Sequence, residues 1–208
     1  MKFKDRKHAG RLLAEKLADY EPDNPIVMAI PRGGVEVGIQ VAKRLNCDFE
    51  LLIVRKLPFP DNPESGFGAI AEDGSSVVFD RFAQTVPETE RQQIYEAQQN
   101  EIKSRIRTLR KGRPLPPLKG RTVILIDDGI AMGSTMQASV AMCRNQKAQK
   151  IIVAAPVSSP RTKTEFQSLA DDVVILTTPE FFQAVAQVYE NWYDVSDEEV
   201  LELLDSSK

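Results

Sequence analysis

The chain has 208 residues, with 27 Lys and Arg against 30 Asp and Glu for a formal net charge of -3, a balance that argues against nucleic acid as its main partner. The length suits one domain over 1–208 with a sizeable core; no apolar run reaches membrane-spanning length and the opening MKFKDRKHAG lacks a signal-peptide core, so no membrane association is expected. Cys47 and Cys143 sit in apolar settings without metal-ligand spacing, and His8 is the single histidine and reads as a solvated helix residue, so a reduced, cytoplasmic location is expected and a His-based metal cluster is excluded.

A first helix is predicted over 6–20. The stretch PIVMAIPRGGVEVGIQVAKRL then reads as a strand (25–30), a turn Pro31-Arg32-Gly33-Gly34, and a helix (35–46) with apolar residues at Val35, Ile39, Ala42 and Leu45. The glycines let backbone approach a ligand closely, the helix start favours an anion, and Arg32 supplies a fixed cation. A Gly-Gly turn alone is more often plain turn chemistry. The glycines at 33, 34 and 38 do not fit G-x-G-x-x-G, and no G-x-x-x-x-G-K-[ST] occurs.

Next comes ELLIVRKLPFPDNPESGFGAIAEDGSSVVF, within a predicted hairpin and lid at 49–79. Two strand-like runs, Glu50 to Leu57 and Ala69 to Phe79, flank the segment 57–68, which carries Pro58, Pro60, Pro63, Gly66 and Gly68. This composition predicts a flexible loop on a two-strand base. Arg55-Lys56 stands at that base, although a lone basic pair is more commonly a solvated strand end.

A long helix is predicted over 87–111, with capping-box spacing at Thr85-Val86-Pro87-Glu88. Its acids Glu88, Glu90, Glu96 and Glu101 precede Lys103, Arg105, Arg107, Arg110 and Lys111. That polarity matches the helix dipole and explains the charge run as a surface helix. A contribution of the basic end to an anion site or a dimer contact is the alternative. The Pro-rich GRPLPPLKG, Gly112 to Gly120, is a stiff connector.

The connector delivers the chain to VILIDDGIAMGST, Val123 to Thr135, the most informative window. Its aliphatic run predicts a buried parallel strand (122–127) ending in Asp127-Asp128, where open α/β sheets bind ligands. A small-residue loop follows, and Ser134 opens a helix (134–146) whose free N–H groups suit an anion. Two carboxylates beside a phosphate cradle fit a ribose 5-phosphate. The bland alternative is a strand ending in a glycine turn with two capping acids. Strand 150–155, helix 161–170, strand 172–176 and terminal helices complete the pattern. The fold class is therefore α/β: a mainly parallel twisted sheet with helices on both faces, a hairpin lid and a small hood.

These segments, in this order, resemble the type I phosphoribosyltransferases over most of residues 25 to 160, and in motif wording the chain is similar to the predicted members of that family. The resemblance implies binding of 5-phosphoribosyl-1-pyrophosphate (PRPP). Asp127 and Asp128 match the acid pair that holds the ribose hydroxyls. Ala131, Met132, Gly133, Ser134 and Thr135 match the 5-phosphate loop, with Met132 where the family usually has Thr. Arg32, Gly33 and Gly34 match the turn that wraps pyrophosphate, and Arg55 and Lys56 match a basic pair that meets it under a catalytic lid. Magnesium is implied as a cofactor bound mainly through PRPP, with no separate protein metal site. The implied partners are PRPP and a nitrogen acceptor, a nucleobase, in a homo-oligomer.

The resemblance implies further that the acceptor is read by a hood, for which the N-terminal helix and the tail 178–208 are the candidates. In the tail, Phe181, Val185 and Val188 share one helical face with core spacing, which leaves Trp192 and Tyr193 as the better ligand candidates; Ser196 and Glu199 have capping-box spacing. Transferases of 6-oxopurines carry a basic Asp where this chain has Ala131, so Glu72 or Asp73 are the candidate carboxylates from elsewhere. Beside a transferase of the phosphoribosyl group, the sequence admits a PRPP-binding regulator without activity. A PRPP synthetase ranks last, for want of an ATP site.

Overall fold

The computed structural model describes residues 1–206, the side chain of Glu64 apart. Five parallel strands form the main sheet in the order β2-β1-β6-β7-β8. They are β1 (Ile26–Ala29), β2 (Asp48–Leu51), β6 (Thr122–Ile126), β7 (Lys150–Val157) and β8 (Asp172–Thr177). Every residue of β1 and β6 is buried, as continuous aliphatic runs in central parallel strands require. Helices α1 (Arg6–Lys16) and α2 (Gly33–Leu45) cover one face through Leu13, Val37 and Val41 against Val27, Ile124 and Ile152. On the other face, Met28, Leu125 and Val153 pack with Met136 of α5 (Ser134–Asn145) and Phe166 of α6 (Pro160–Leu169).

Chain direction across the sheet locates the functional end. From β1 the chain moves outward to β2, whereas from β6 it moves the opposite way through β7 to β8. The reversal leaves a crevice at the carboxyl ends of β1 and β6, the general position of ligands in open α/β sheets. The Ile30 amide donates to the Ile126 carbonyl at 2.8 Å, so the turn after β1 and the loop after β6 start side by side.

The excursion between β2 and β6 departs from expectation. The run Glu50 to Leu57 is two strands in two sheets: β2 ends at Leu51, and β3 (Val54–Phe59) joins a separate antiparallel sheet in the order β3-β4-β5. Strand β4 (Asn62–Ala71) takes in most of the presumed loop, and β5 (Ser76–Val78) follows a tight turn. Segment 57–68 is thus a β-hairpin turning at Pro60-Asp61, with register shifts around Pro58, rather than a structureless loop. Its glycines close the sheet instead of acting as hinges, since a Cβ at Gly66 or Gly68 would meet the backbone carbonyls of Leu57 or Val77. A short helix α3 (Asp80–Ala83) leads to α4 (Glu88–Arg110), which packs through Ile102 and Leu109 against Leu57, Phe67 and Ile70. Thr85 does not form the predicted box. Its hydroxyl donates to the Phe82 carbonyl, and Pro87 holds the N-cap position.

The tail is mostly irregular. Among its described residues it has one 3₁₀ turn (Val185–Val188) and one α-helix, α7 (Asp197–Ser206), opened by the reciprocal Ser196–Glu199 bonds that its sequence predicted. Helix α7 packs through Val200 onto the α2, α4 and hairpin cluster; Ser207 and Lys208 of the predicted hood lie outside the described residues. The segment 188–191 instead pairs with the chain start, through Phe3 N to Val188 O at 2.7 Å and Glu190 N to Phe3 O at 2.8 Å.

Candidate active site

The acid pair ends β6 as predicted, but it is not freely exposed. Asp127 and Asp128 are both half-buried, and Asp127 accepts the Asp128 amide at 2.8 Å. Arg6 of α1 reaches across to Asp128, with Nε donating to Oδ2 at 2.7 Å, while its Nη1 donates to the Tyr193 carbonyl at 2.9 Å. The guanidinium lies 4.0 Å from the Trp192 ring centroid, a cation–π contact. Tyr189, buried against Phe3 and Trp192, donates its hydroxyl to the Asp128 carbonyl at 2.7 Å.

Burial raises the affinity of both carboxyls for a proton. Asp127 is held well above the ordinary Asp range, first by burial and next by the charge of Asp128. Asp128 is also raised by burial, against the lowering effect of Arg6. The two titrate as a pair, with Asp127 the member that keeps a proton more readily.

The glycines of the first turn have a defined purpose. A Cβ on Gly33 would fall on the Asp128 carboxylate, and one on Gly34 would lie 2.8 Å from the Ile126 carbonyl. Only glycine lets the start of α2 close against the acid pair. The peptide between Pro31 and Arg32 is cis.

On the other side of Asp127, a cavity of about 180 Å³ is lined by Lys56, Gly66, Asp127 and residues 129–135. Gly133, in the left-handed conformation at φ 82°, caps α5 and turns the loop so that the helix begins at Ser134, which is buried. Thr162 of α6 steadies the loop by donating to the Ala131 carbonyl at 2.9 Å. Met132 is 47% exposed, at the loop surface rather than in the core. A second cleft of about 360 Å³, between Phe79, Phe82, Arg161 and Glu165, shares the wall Ala131-Met132. A hollow of about 470 Å³ beside Asn24, Asn46 and Asp48 lies at the amino ends of β1 and β2, away from these loops.

Several assignments change. Arg55 and Lys56 do not act as one pair, because successive strand residues face opposite ways. Lys56 lines the cavity, whereas Arg55 donates to Gln98 of α4 at 3.1 Å. Arg32, which the resemblance gives to the pyrophosphate turn, lies 3.8 Å from Asp197 of α7. Glu72 is no candidate base: it is buried in an ion pair with Arg110 and accepts the Ile53 amide at 3.0 Å. Asp73 closes the β4–β5 turn on Ser75. Phe181, expected in the core, is 83% exposed because no helix forms there, while Val188 is buried and Trp192 and Tyr193 enclose Arg6. His8 sits in the first turn of α1, its Nδ1 accepting the Lys4 amide at 3.1 Å.

Arg6 and Asp197 went unrecognised in the sequence, whereas Arg105 stands in the basic helix end for which an anion site is the alternative reading. For Arg6 a signal existed. It is the first residue of α1, where the helix dipole disfavours a cation, so an arginine there calls for a partner from outside the helix. Among the described residues, no helix is long and apolar enough to cross a membrane.

Comparison with known proteins agrees with the motif order. A family model of the phosphoribosyl transferase domain matches residues 4–191. Putative phosphoribosyl transferase Rv0571c of Mycobacterium tuberculosis is 40% identical over 210 residues, which cover 98% of this chain and 46% of the relative. The chain therefore spans about half the length of that curated relative. The crystal structure of TT1426 from Thermus thermophilus superposes with a TM-score of 0.82 at 36% identity, covering 98% of each chain. A purine phosphoribosyltransferase from Pyrococcus horikoshii shares the fold at TM-score 0.50 and 16% identity over 92% of each chain. The chain belongs to the phosphoribosyl transferase domain family.

Proposed function

We propose, from that membership, that the protein binds PRPP and transfers its phosphoribosyl group to a nitrogen acceptor, a nucleobase, with release of pyrophosphate. One observation carries the reading: the cavity that sets Lys56 of the hairpin against Asp127 and the loop 129–135. An anion held by the loop amides, Ser134 and Thr135 would bring the attached sugar to the acid pair. The volume of about 180 Å³ suits the sugar-phosphate end alone, since whole small-molecule sites span about 300–1,000 Å³. The pyrophosphate would extend past Asp128 toward the Pro31–Gly34 turn.

In this reading Asp127 and Asp128 orient the ribose and favour positive charge developing at its carbon 1, while fixed cations stabilise the departing pyrophosphate. Among the described residues no group of three or more His, Cys, Asp or Glu could hold a metal. Magnesium would arrive on the pyrophosphate, with Asp127 and Asp128 as adjacent carboxylates, and would neutralise leaving-group charge.

A regulator that binds PRPP without chemistry is the second reading, favoured by the engagement of Asp128 with Arg6. The deciding experiment is a screen of nucleobases with PRPP and magnesium that follows pyrophosphate release. Release with one base supports the transferase. Tight PRPP binding with no release for any base supports the regulator, and no PRPP binding overturns both.

A further inference from the structure

Three guanidinium groups from three elements meet beside the turn before α2. Arg32 of the turn and Arg105 of α4 lie 3.8 and 3.9 Å from the same atom, Asp197 Oδ1. Arg55 of β3 lies close enough to feel the charges of Arg105, Arg32 and Asp197, while its Nε donates to Gln98 of α4 at 3.1 Å. Facing carboxylates are Asp197, the first residue of α7, and Glu101, which accepts from Arg105 Nε at 2.8 Å. Arg55 is held below the ordinary arginine range, first by burial and next by the charge of Arg105.

Asp197 fits this cluster poorly. Its Oδ1 is buried and accepts no hydrogen bond, and it only reaches ion-pair distance from two guanidiniums. Charge-assisted bonds from arginine to oxygen are about 2.7–2.9 Å and often bidentate. Two forks aimed at one oxygen from nearly 4 Å leave donors for a larger anion with several oxygens. The site is open to solvent, since the Arg32 side chain is 41% exposed.

We propose that Arg105 joins Arg32 and Arg55 in a pyrophosphate-binding subsite, and that Asp197 is a built-in counter-ion which the incoming pyrophosphate displaces. The inference rests on the PRPP reading above and assigns the two ends of that ligand to separate groups: the phosphate loop and Lys56 at one end, the arginine cluster at the other. Helix α7 stays docked through Val200 while the Asp197 side chain turns away.

Calorimetry with inorganic pyrophosphate and magnesium chloride, with ribose 5-phosphate as a parallel ligand, tests this on the wild type, Arg105→Gln and Asp197→Asn. Arg105→Gln should weaken pyrophosphate binding about tenfold, the effect of losing a hydrogen bond to a charged group. Asp197→Asn should strengthen it by up to about fivefold, as expected for removing a partly exposed competing charge. A gain of affinity cannot come from misfolding, and ribose 5-phosphate affinity should stay unchanged in both. Unchanged pyrophosphate affinity in Arg105→Gln, or weaker affinity in Asp197→Asn, overturns the subsite and leaves the cluster as a tie for α7. The two readings also fail separately. A wild type that binds pyrophosphate but not ribose 5-phosphate overturns the phosphate-loop assignment, and one that binds only ribose 5-phosphate overturns the subsite.

Discussion

Arg6 and Asp128, 122 positions apart in the chain, form an ion pair at 2.7 Å with side-chain exposures of only 4% and 13%. The pair joins the first helix to the carboxyl end of the central strand, and Trp192 closes over it from the tail. Both ends of the sequence therefore converge on one acid of the proposed ribose site. This arrangement holds Asp128 in place before any ligand arrives, the kind of preorganisation that lowers the cost of binding.

Arg6→Ala should cost about 3 kcal/mol of stability, the low end for removing one partner of a buried pair, because Asp128 can take up a proton in compensation. Arg6→Lys should fall between wild type and alanine, since an ammonium keeps the charge but loses the planar fork and the stacking on Trp192. Urea unfolding measures the stability. Trp192 is the single tryptophan, so its emission reports the site directly and should shift in Arg6→Ala. An unchanged spectrum with unchanged stability would mean that the pair does not persist in solution.

The acid pair fixes the sign of a pH effect. Both carboxyls are raised in the folded protein, Asp127 the more strongly, by burial and by Asp128, while in the unfolded chain each ionises near pH 4, about the ordinary Asp value. Above that pH the folded state binds more protons than the unfolded one. The contribution of the pair to stability is thus fully present below the unfolded value and is lost as pH rises through the folded value. Asp127→Asn, which mimics the protonated form, should flatten the decline in thermal midpoint between about pH 4 and neutrality, and should bind PRPP far more weakly. Parallel stability curves for wild type and variant would rule out a raised carboxyl at this position.

Met132→Thr should tighten ribose 5-phosphate binding. Met132 is 47% exposed and lines the cavity, so its replacement should alter stability by no more than about 0.5 kcal/mol. A threonine hydroxyl there adds a donor to a phosphate, for a gain of about tenfold in affinity. Weaker binding by calorimetry would show that the loop turns Met132 inward when it closes on its ligand.

How far the sequence revealed this site depended on the range of the signal. The strand Thr122–Ile126, the acid pair and the loop to Thr135 are one contiguous string whose apolar run, carboxylates and helix start each carry their own physics, and all three stand where their order implied. The Gly33-Gly34 turn was legible as a close approach, although what approaches Gly33 is the Asp128 side chain. The hairpin was legible, but strands β3 and β4 reach further into 57–68 than its prolines and glycines suggest, because these residues signal irregular backbone locally while pairing such as Arg55 with Ile70 and Lys56 with Ala69 is set by tertiary register. Phe181 misled for a related reason: helical spacing over three residues predicts a buried face only where a helix forms, and here the backbone is irregular. Partners such as Arg6 and Asp128 lie 122 positions apart in the chain, and no local pattern joins them.

The opposite facing of Arg55 and Lys56 separates binding from chemistry. Lys56 lines the sugar-phosphate cavity, so Lys56→Ala should weaken ribose 5-phosphate and PRPP alike. Arg55 points to Gln98 and sits among like charges. Arg55→Ala should therefore leave ribose 5-phosphate binding intact, weaken pyrophosphate, and reduce turnover more than it reduces PRPP affinity, because leaving-group charge grows only as the bond breaks. Its effect on stability should stay within about 1 kcal/mol, since relief of repulsion offsets the lost hydrogen bond to Gln98. Calorimetry for each ligand, paired with pyrophosphate release on the base found by screening, checks every arm. Equal loss of both ligands in both variants would overturn the division between the two faces of β3. If no version released pyrophosphate with any base while PRPP binding followed the predicted pattern, the division would stand and the chain would be a PRPP sensor.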